Sequence, residues 1–463
     1  MPSIRTIRPP VGHGGKHRFN QLGIGGNSIK SDYSGDSTHC FGRLQVGCKV
    51  VRLCPNSRAR FRPFVAPPIT RPPLNTVQVD SVLCQLLRGE SPNAHGGLGH
   101  EMVKALLVRG DYHGILPLLY DRLLETGGPA ELLDQVHRQT VARVMWELRH
   151  RPIVSSVLAA LDAIDAAPVV FKGTALAYAL YPRPALRTRG DTDIIVAPAA
   201  RSRAQAALEA LGFRRDPGVS GEFVSYQACY TIAEGGGRNH SIDLHWRINN
   251  SELLSRLFTH DELIAQACPL PLLDPHALIA SPVHALLLAC MHRATHKQNP
   301  YYVDDVAYFG GDRLIWLYDI HLLVGQFGDA EWEDFCRTAS SKGLRAICLE
   351  GMQLANARFN TVLPEAVVAK LAVGHVAEPA AFYLNGGSSR QQWMDFRAID
   401  GPGQRLRFLS ELVFPTAEYM RLKYPAARPG WLPWLYLRRA LAGISKRFRS
   451  RAAQGAVDEF QSR

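Results

Sequence analysis

The run Asp191-Thr192-Asp193-Ile194-Ile195-Val196 carries two carboxylates one residue apart at the start of a β-type stretch. Side chains on a strand alternate between faces, so both acids project from one face, about 6.6 Å apart at roughly 3.3 Å per residue. Two carboxylates on one face repel unless something positive sits between them. The pattern suits Mg²⁺, which takes a few carboxylate oxygens together with substrate phosphates. Two such ions about 3.5–4 Å apart can stabilise the attacking and leaving oxygens of a phosphoryl displacement. Upstream, Val169-Val170-Phe171 reads as a strand that stops at Lys172-Gly173-Thr174 and passes into a helix-like segment, Ala175 to Leu180. With no Cβ at Gly173, the backbone N–H groups of a Gly-Thr turn at a helix N-terminus can approach a phosphate closely.

A second set of polar residues follows in Ser241-Ile242-Asp243-Leu244-His245-Trp246-Arg247. Period two puts Asp243, His245 and Arg247 on one face and Ile242, Leu244 and Trp246 on the other. Further on, His292 and His296 stand at i and i+4 in HRATH. That spacing can ligate zinc, but the motif lacks the glutamate of a metalloprotease helix. The expectation is histidines on a helix face, turned to a cleft or packed on neighbours.

The order strand, Gly-Thr turn, helix, then Asp-x-Asp on the next strand resembles the polymerase-beta type of nucleotidyltransferase. More narrowly, FKGTALAYALY followed by ALRTRGDTDIIV looks like the uncharacterised bacterial nucleotidyltransferase family. Sixteen residues separate Thr174 from Asp191, a longer connection than the general glycine-serine pattern uses and one the narrower family shares. The resemblance implies that Asp191, Asp193 and Asp243 bind Mg²⁺ or Mn²⁺, with Asp243 able to activate the attacking group. It implies that Gly173 and Thr174 hold the phosphates of an NTP such as ATP, and that Lys172 and Arg187 neutralise phosphate charge. Lys172 has the alternative of pairing with an aspartate. His245 and Arg247 are candidate substrate contacts, as is Asp319, which lies in a Trp-Leu-Tyr-Asp element similar to one in the family's helical half and holds either substrate or a neighbouring helix. The resemblance extends from about Val77 to the basic tail and is strongest between Phe171 and Arg247.

These residues need a scaffold. The expected fold is α+β: a small mixed sheet with flanking helices, preceded and followed by helical regions. Leu83, Leu86, Leu87 and later apolar positions at helical spacing predict helices in series over 76–167. The nucleotidyltransferase core is expected over 168–268, where Pro198 to Leu211 reads as a helix capped at Gly212. Phe223–Ile232 and Ser241–Ile248 read as a hairpin across the Gly235-Gly236-Gly237 connection. A helical domain is expected over 269–425, with Tyr301–Arg313 as a loop and helices at Leu314–Ile320, Trp332–Lys342 and Leu344–Phe359. A basic aromatic tail closes the chain over 426–463, its aromatics expected to pack while its arginines stay solvated.

Composition narrows the class. Hydrophobic content of 46% and charged content of 20% describe an ordinary globular chain. Of the formal +12 charge, about +10 lies in residues 1–75, which hold twelve Lys or Arg against two acids. The rest is nearly balanced, so charge gives no support to a nucleic-acid-binding core. Residues 1–75 read as a basic, disordered extension; its Gly23–Gly26 GIGG lacks the flanking strand and helix of a phosphate loop. The nine cysteines are scattered without a CxxC, which argues against a disulfide framework or zinc ribbon and for a cytoplasmic setting. His39, Cys40, Cys48 and Cys54 fit no zinc spacing. No apolar stretch of about 20 residues offers a transmembrane segment. The expected partners are an NTP and an acceptor that is a small molecule, saccharide, peptide or protein, with a biosynthetic cluster as the natural setting. The alternatives are a protein- or tRNA-modifying enzyme of a toxin–antitoxin or defence module, and a non-catalytic NTP-binding protein of the same fold.

Overall fold

The computed structural model describes residues 76–90, 98–217, 221–234, 238–297, 300–303, 306–309, 311–374, 378–424 and 431–441. The basic extension, GIGG, the His39/Cys40/Cys48/Cys54 grouping and most of the tail lie outside them.

Helices α1 (Thr76–Leu87), α2 (His100–His113), α3 (Leu116–Thr126) and α4 (Ala130–Asp162) come first, followed by β1 (Val169–Phe171), α5 (Lys172–Leu180) and β2 (Asp191–Ile195). Then come α6 (Arg201–Ala210), β3 (Arg214–Arg215), β4 (Gln227–Glu234), β5 (Arg238–His245), α7 (Glu252–Ser255), α8 (His260–Ala265), β6 (Cys268–Pro269) and β7 (Leu278–Ile279). The second half is mostly helical: α9 (Pro282–His296), α10 (Leu314–Val324), α11 (Asp329–Lys342), α12 (Arg345–Phe359), and shorter helices from Glu365 to Lys423. The chain is α+β, as its sequence implies.

The seven strands form one mixed sheet in the order β3-β4-β5-β2-β1-β7-β6. β1 runs antiparallel to β2, while β2 and β5 pair in parallel, as do β1 and β7. β1 is buried on both faces, and its side chains divide by period two. Val169 and Phe171 join Ile195 in a core built with α9 to α12, whereas Val170 joins Ile194, Val196 and the end of α4 on the other face. A third apolar cluster unites α1, α2 and α3 with Leu314, Ile315 and Trp316 of α10.

Three sequence expectations change. The hairpin forms, but β4 starts at Gln227 and β5 ends at His245, so Trp246 to Ile248 leave the sheet. The segment read as a loop contains two antiparallel strands, β8 (Pro300–Val303) and β9 (Val306–Phe309). Its Tyr-Tyr-Val and Val-Ala-Tyr-Phe runs are strong strand formers whose composition the glycines obscured. Among the described residues of the tail, Trp431 and Trp434 are exposed and only Leu435 is buried. Among the described residues no helix is long and apolar enough to cross a membrane.

Candidate active site

β1 gives way to α5 at Lys172, whose φ of +56° lies in the left-handed region that residues other than glycine rarely adopt. Such a residue costs on the order of 1–3 kcal/mol and persists only where its surroundings over-determine it. Here the surroundings are specific. Lys172 Nζ donates to Asp193 Oδ1 at 2.7 Å and sits 4.6 Å from the centre of the Phe171 ring. The helix expected from Ala175 already begins at Lys172, so Gly173 and Thr174 occupy its first turn. The N–H groups there have no intrahelical acceptor and form an anion-binding end.

The acids converge because of strand register. In the parallel β2–β5 ladder Asp193 is the partner of Asp243, and Asp191 that of Ser241. Asp193 and Asp243 are buried, and Asp191 is half-buried two residues away on the same face. One ligand atom each from Asp193, Asp243 and His245 lies within 4.8 Å of the others. His245 Nε2 is 2.9 Å from Asp193 Oδ1, and Gln227 donates to Asp243 Oδ2 at 3.0 Å.

The three carboxyls have divergent acidities. Burial and repulsion from Asp191 and Asp193 push Asp243 up to about 8. Burial and the Asp193 charge push Asp191 up to about 6. Burial acts on Asp193 in the same direction, but the Lys172 ammonium and the His245 hydrogen bond outweigh it and hold that carboxyl well below the usual range. The cluster therefore carries more carboxylate than its one nearby ammonium offsets, the condition under which a cation binds. Hard oxygen donors of this kind with one imidazole fit Mg²⁺ or Mn²⁺.

The other expected residues are placed differently. Arg187 is buried and binds Asp319 through Nη2–Oδ2 at 2.6 Å and Nε–Oδ1 at 3.3 Å, while Tyr181 donates to Asp319 Oδ1 at 2.7 Å. The Arg187 charge is thus already matched, and Asp319, 2% exposed, ties α10 to the connection between α5 and β2 while both residues line the cleft beside Lys172. Arg187 also explains Gly173: a Cβ there would lie 3.0 Å from Arg187 Nη1. Arg247 lies beyond the end of β5, paired with Glu252 at 2.9 Å and set over the Tyr226 ring. It leaves the face of Asp243 because the strand stops before it.

The Thr174 hydroxyl points away from the cleft into a polar network that sequence reasoning missed. It lies 2.8 Å from Thr192 Oγ1 and accepts from Arg189 Nε at 2.9 Å. Thr192 Oγ1 is 2.7 Å from His150 Nε2, and His150 Nδ1 is 3.1 Å from His240 Nδ1. Arg189 and Tyr178 both donate to Glu147. The signal available was Glu147 and His150 at i and i+3 within a helix stripe that is apolar apart from them and Thr140. This network clamps the residue between Asp191 and Asp193 to the first turn of α5. His292 lines the cleft beside Lys172, and it and His296 pack against each other and against Trp316; burial, the largest influence on the two imidazoles, favours their neutral forms.

Against known proteins, residues 102–360 match the model of a family described as an uncharacterised nucleotidyltransferase. The match covers more than half of the chain and is shorter at both ends than the resemblance read from the sequence. No curated protein matches the chain.

Proposed function

The chain belongs to this uncharacterised nucleotidyltransferase family, and from that premise we propose that it transfers a nucleoside monophosphate from an NTP to a hydroxyl-bearing acceptor. The acceptor oxygen forms a bond to the α-phosphorus as the bond to the bridging oxygen of the β-phosphate breaks. Pyrophosphate leaves with the electron pair, and the hydroxyl proton passes to Asp243 or to water. Asp191, Asp193 and Asp243 would hold Mg²⁺ or Mn²⁺, which when bound supplies charge neutralisation for the triphosphate and the transferred group. The first-turn N–H groups of α5 would receive phosphate oxygens. Lys172 Nζ, 2.7 Å from Asp193, is placed to exchange that carboxylate for a phosphate. His245 and Gln227 orient the two paired acids, and preorganisation of this kind supplies much of the catalysis in phosphoryl transfer. Arg187 acts through Asp319, on the shape of the site.

The observation that carries this reading is the register match of Asp193 with Asp243 beside the N-terminus of α5. The test is binding of each labelled NTP with and without Mg²⁺, to the wild-type chain and to Asp191→Ala/Asp193→Ala. Mg²⁺-dependent binding lost in the double variant supports the site. Equal behaviour of the two proteins would leave the acids as a strand end.

A further inference from the structure

Beside the acids, a groove of about 60 Å³ runs between α5, α9 and α10, and Lys172 is one of its walls. At roughly 10–15 Å³ per water it has room for about four waters or a short carbon segment. Its origin is visible in the sequence. Ala175 and Ala179 stand one turn apart on α5, and Ala285 and Ala289 one turn apart on α9, small side chains at positions where larger ones would close the space. Leu288 and Leu323 complete aliphatic walls.

We propose that this groove seats the apolar body of the acceptor, an alkyl or aryl group whose hydroxyl is presented at Lys172 and Asp193. This rests on the nucleotidyl-transfer reading above and adds the acceptor's chemistry to it. Three observations support it. The groove shares Lys172 with the acid cluster, and Lys172 Nζ is hydrogen-bonded to Asp193, so an occupant lies next to the reacting phosphate. The lining favours an apolar body: it is mostly aliphatic, Arg187 and Asp319 on it are engaged with each other and with Tyr181, and His292 packs against His296 and Trp316. A base there would turn most of its polar edge onto alanine and leucine, with Lys172, His292 and Gln326 to answer it among the lining side chains outside the Arg187–Asp319 pair. Finally, Ala179, Pro282 and Gln326 on the lining are exposed, so the groove opens to solvent and accommodates a molecule that continues beyond it.

The test uses the full chain and two probes, hexan-1-ol and adenosine, followed by saturation-transfer NMR, with Mg²⁺–NTP affinity measured in parallel. Ala289→Phe fills the groove, and Ala285→Leu is a milder filling should the larger ring impair folding. The expected result is saturable binding of hexan-1-ol to the wild type, weakened about tenfold or more by either filling, with NTP affinity changed by less than about twofold. Absence of saturable hexan-1-ol binding overturns the proposal. So does displacement of hexan-1-ol by adenosine with a matching tenfold or so loss of NTP affinity in the filled variants, which would make the groove a nucleoside site. A wild-type chain that takes hexan-1-ol but no NTP supports the groove's apolar specificity and refutes the transfer reading, so the two failures are told apart.

Discussion

Asp193 and Asp243 face each other across the parallel β2–β5 ladder, one bonded to Lys172 and His245 and the other to Gln227. The positive charge is therefore unequally shared. Asp193 is held ionised, while Asp243 is pushed up to about 8 by burial and by its two neighbouring aspartates.

The first prediction follows from that asymmetry. A carboxyl whose pKa is raised on folding, from about 3.9 in the unfolded chain, costs stability as pH climbs toward the folded value. Asp243→Asn removes the strain, so at pH 7.5 and without metal the variant is expected to be about 1–4 kcal/mol more stable by urea unfolding. It should also lose Mg²⁺-dependent NTP binding. An equally stable or weaker variant would mean that the Asp243 environment is already balanced.

Arg187 and Asp319 provide a second test, because sequence resemblance and structure give Arg187 different jobs. As a buried, doubly bonded pair, its disruption by Arg187→Met or Asp319→Leu alone is expected to cost about 3–5 kcal/mol, with most of the loss recovered in the double variant. A phosphate-binding arginine would behave otherwise: Arg187→Met would abolish NTP binding at nearly unchanged stability. Chemical denaturation of the four proteins, with NTP titrations, separates the cases.

The network behind β2 predicts a positional effect. Thr192→Val keeps the shape but removes the oxygen shared by His150 and Thr174. Two buried polar groups then lose a partner, at about 1–3 kcal/mol each. Amide exchange at Gly173 and Thr174 should quicken, and NTP affinity should fall, while Thr192→Ser retains both. Unchanged exchange in the valine variant would show that the clamp does not act on the first turn of α5.

Stability should fall in mild acid. Burial pushes His113 and His296 down to about 4, and His150 and His292 are likewise pushed well below the ordinary value of 6.5. Between about pH 6.5 and 4 these four imidazoles take up protons in the unfolded chain that they refuse in the folded one; they outnumber the carboxyls Asp191 and Asp243, whose raised values act in the opposite sense, so stability declines as pH falls. Each full proton of difference is worth about 1.4 kcal/mol per pH unit. Urea midpoints at pH 7 and 5 should differ accordingly, and equal midpoints would show these imidazoles to be solvated.

The chemistry was legible locally because period two on a strand puts Asp191 and Asp193 on one face whatever the rest of the chain does. The same rule placed Asp243 with His245, and the Gly-Thr turn marked the first turn of α5, which begins beside the acids. Helical spacing likewise exposed the α+β layout. Other features depended on contacts between residues far apart in sequence, which no local pattern encodes. The β2–β5 register chose Ser241 and Asp243 as the partners of Asp191 and Asp193. The end of β5 at His245 removed Arg247 from the site. Burial decided that Arg187 answers Asp319, because a guanidinium taken from water must be paired where it lies. The His150–Thr192–Thr174 clamp joins three separate elements, and the groove exists only because two alanine pairs on separate helices meet.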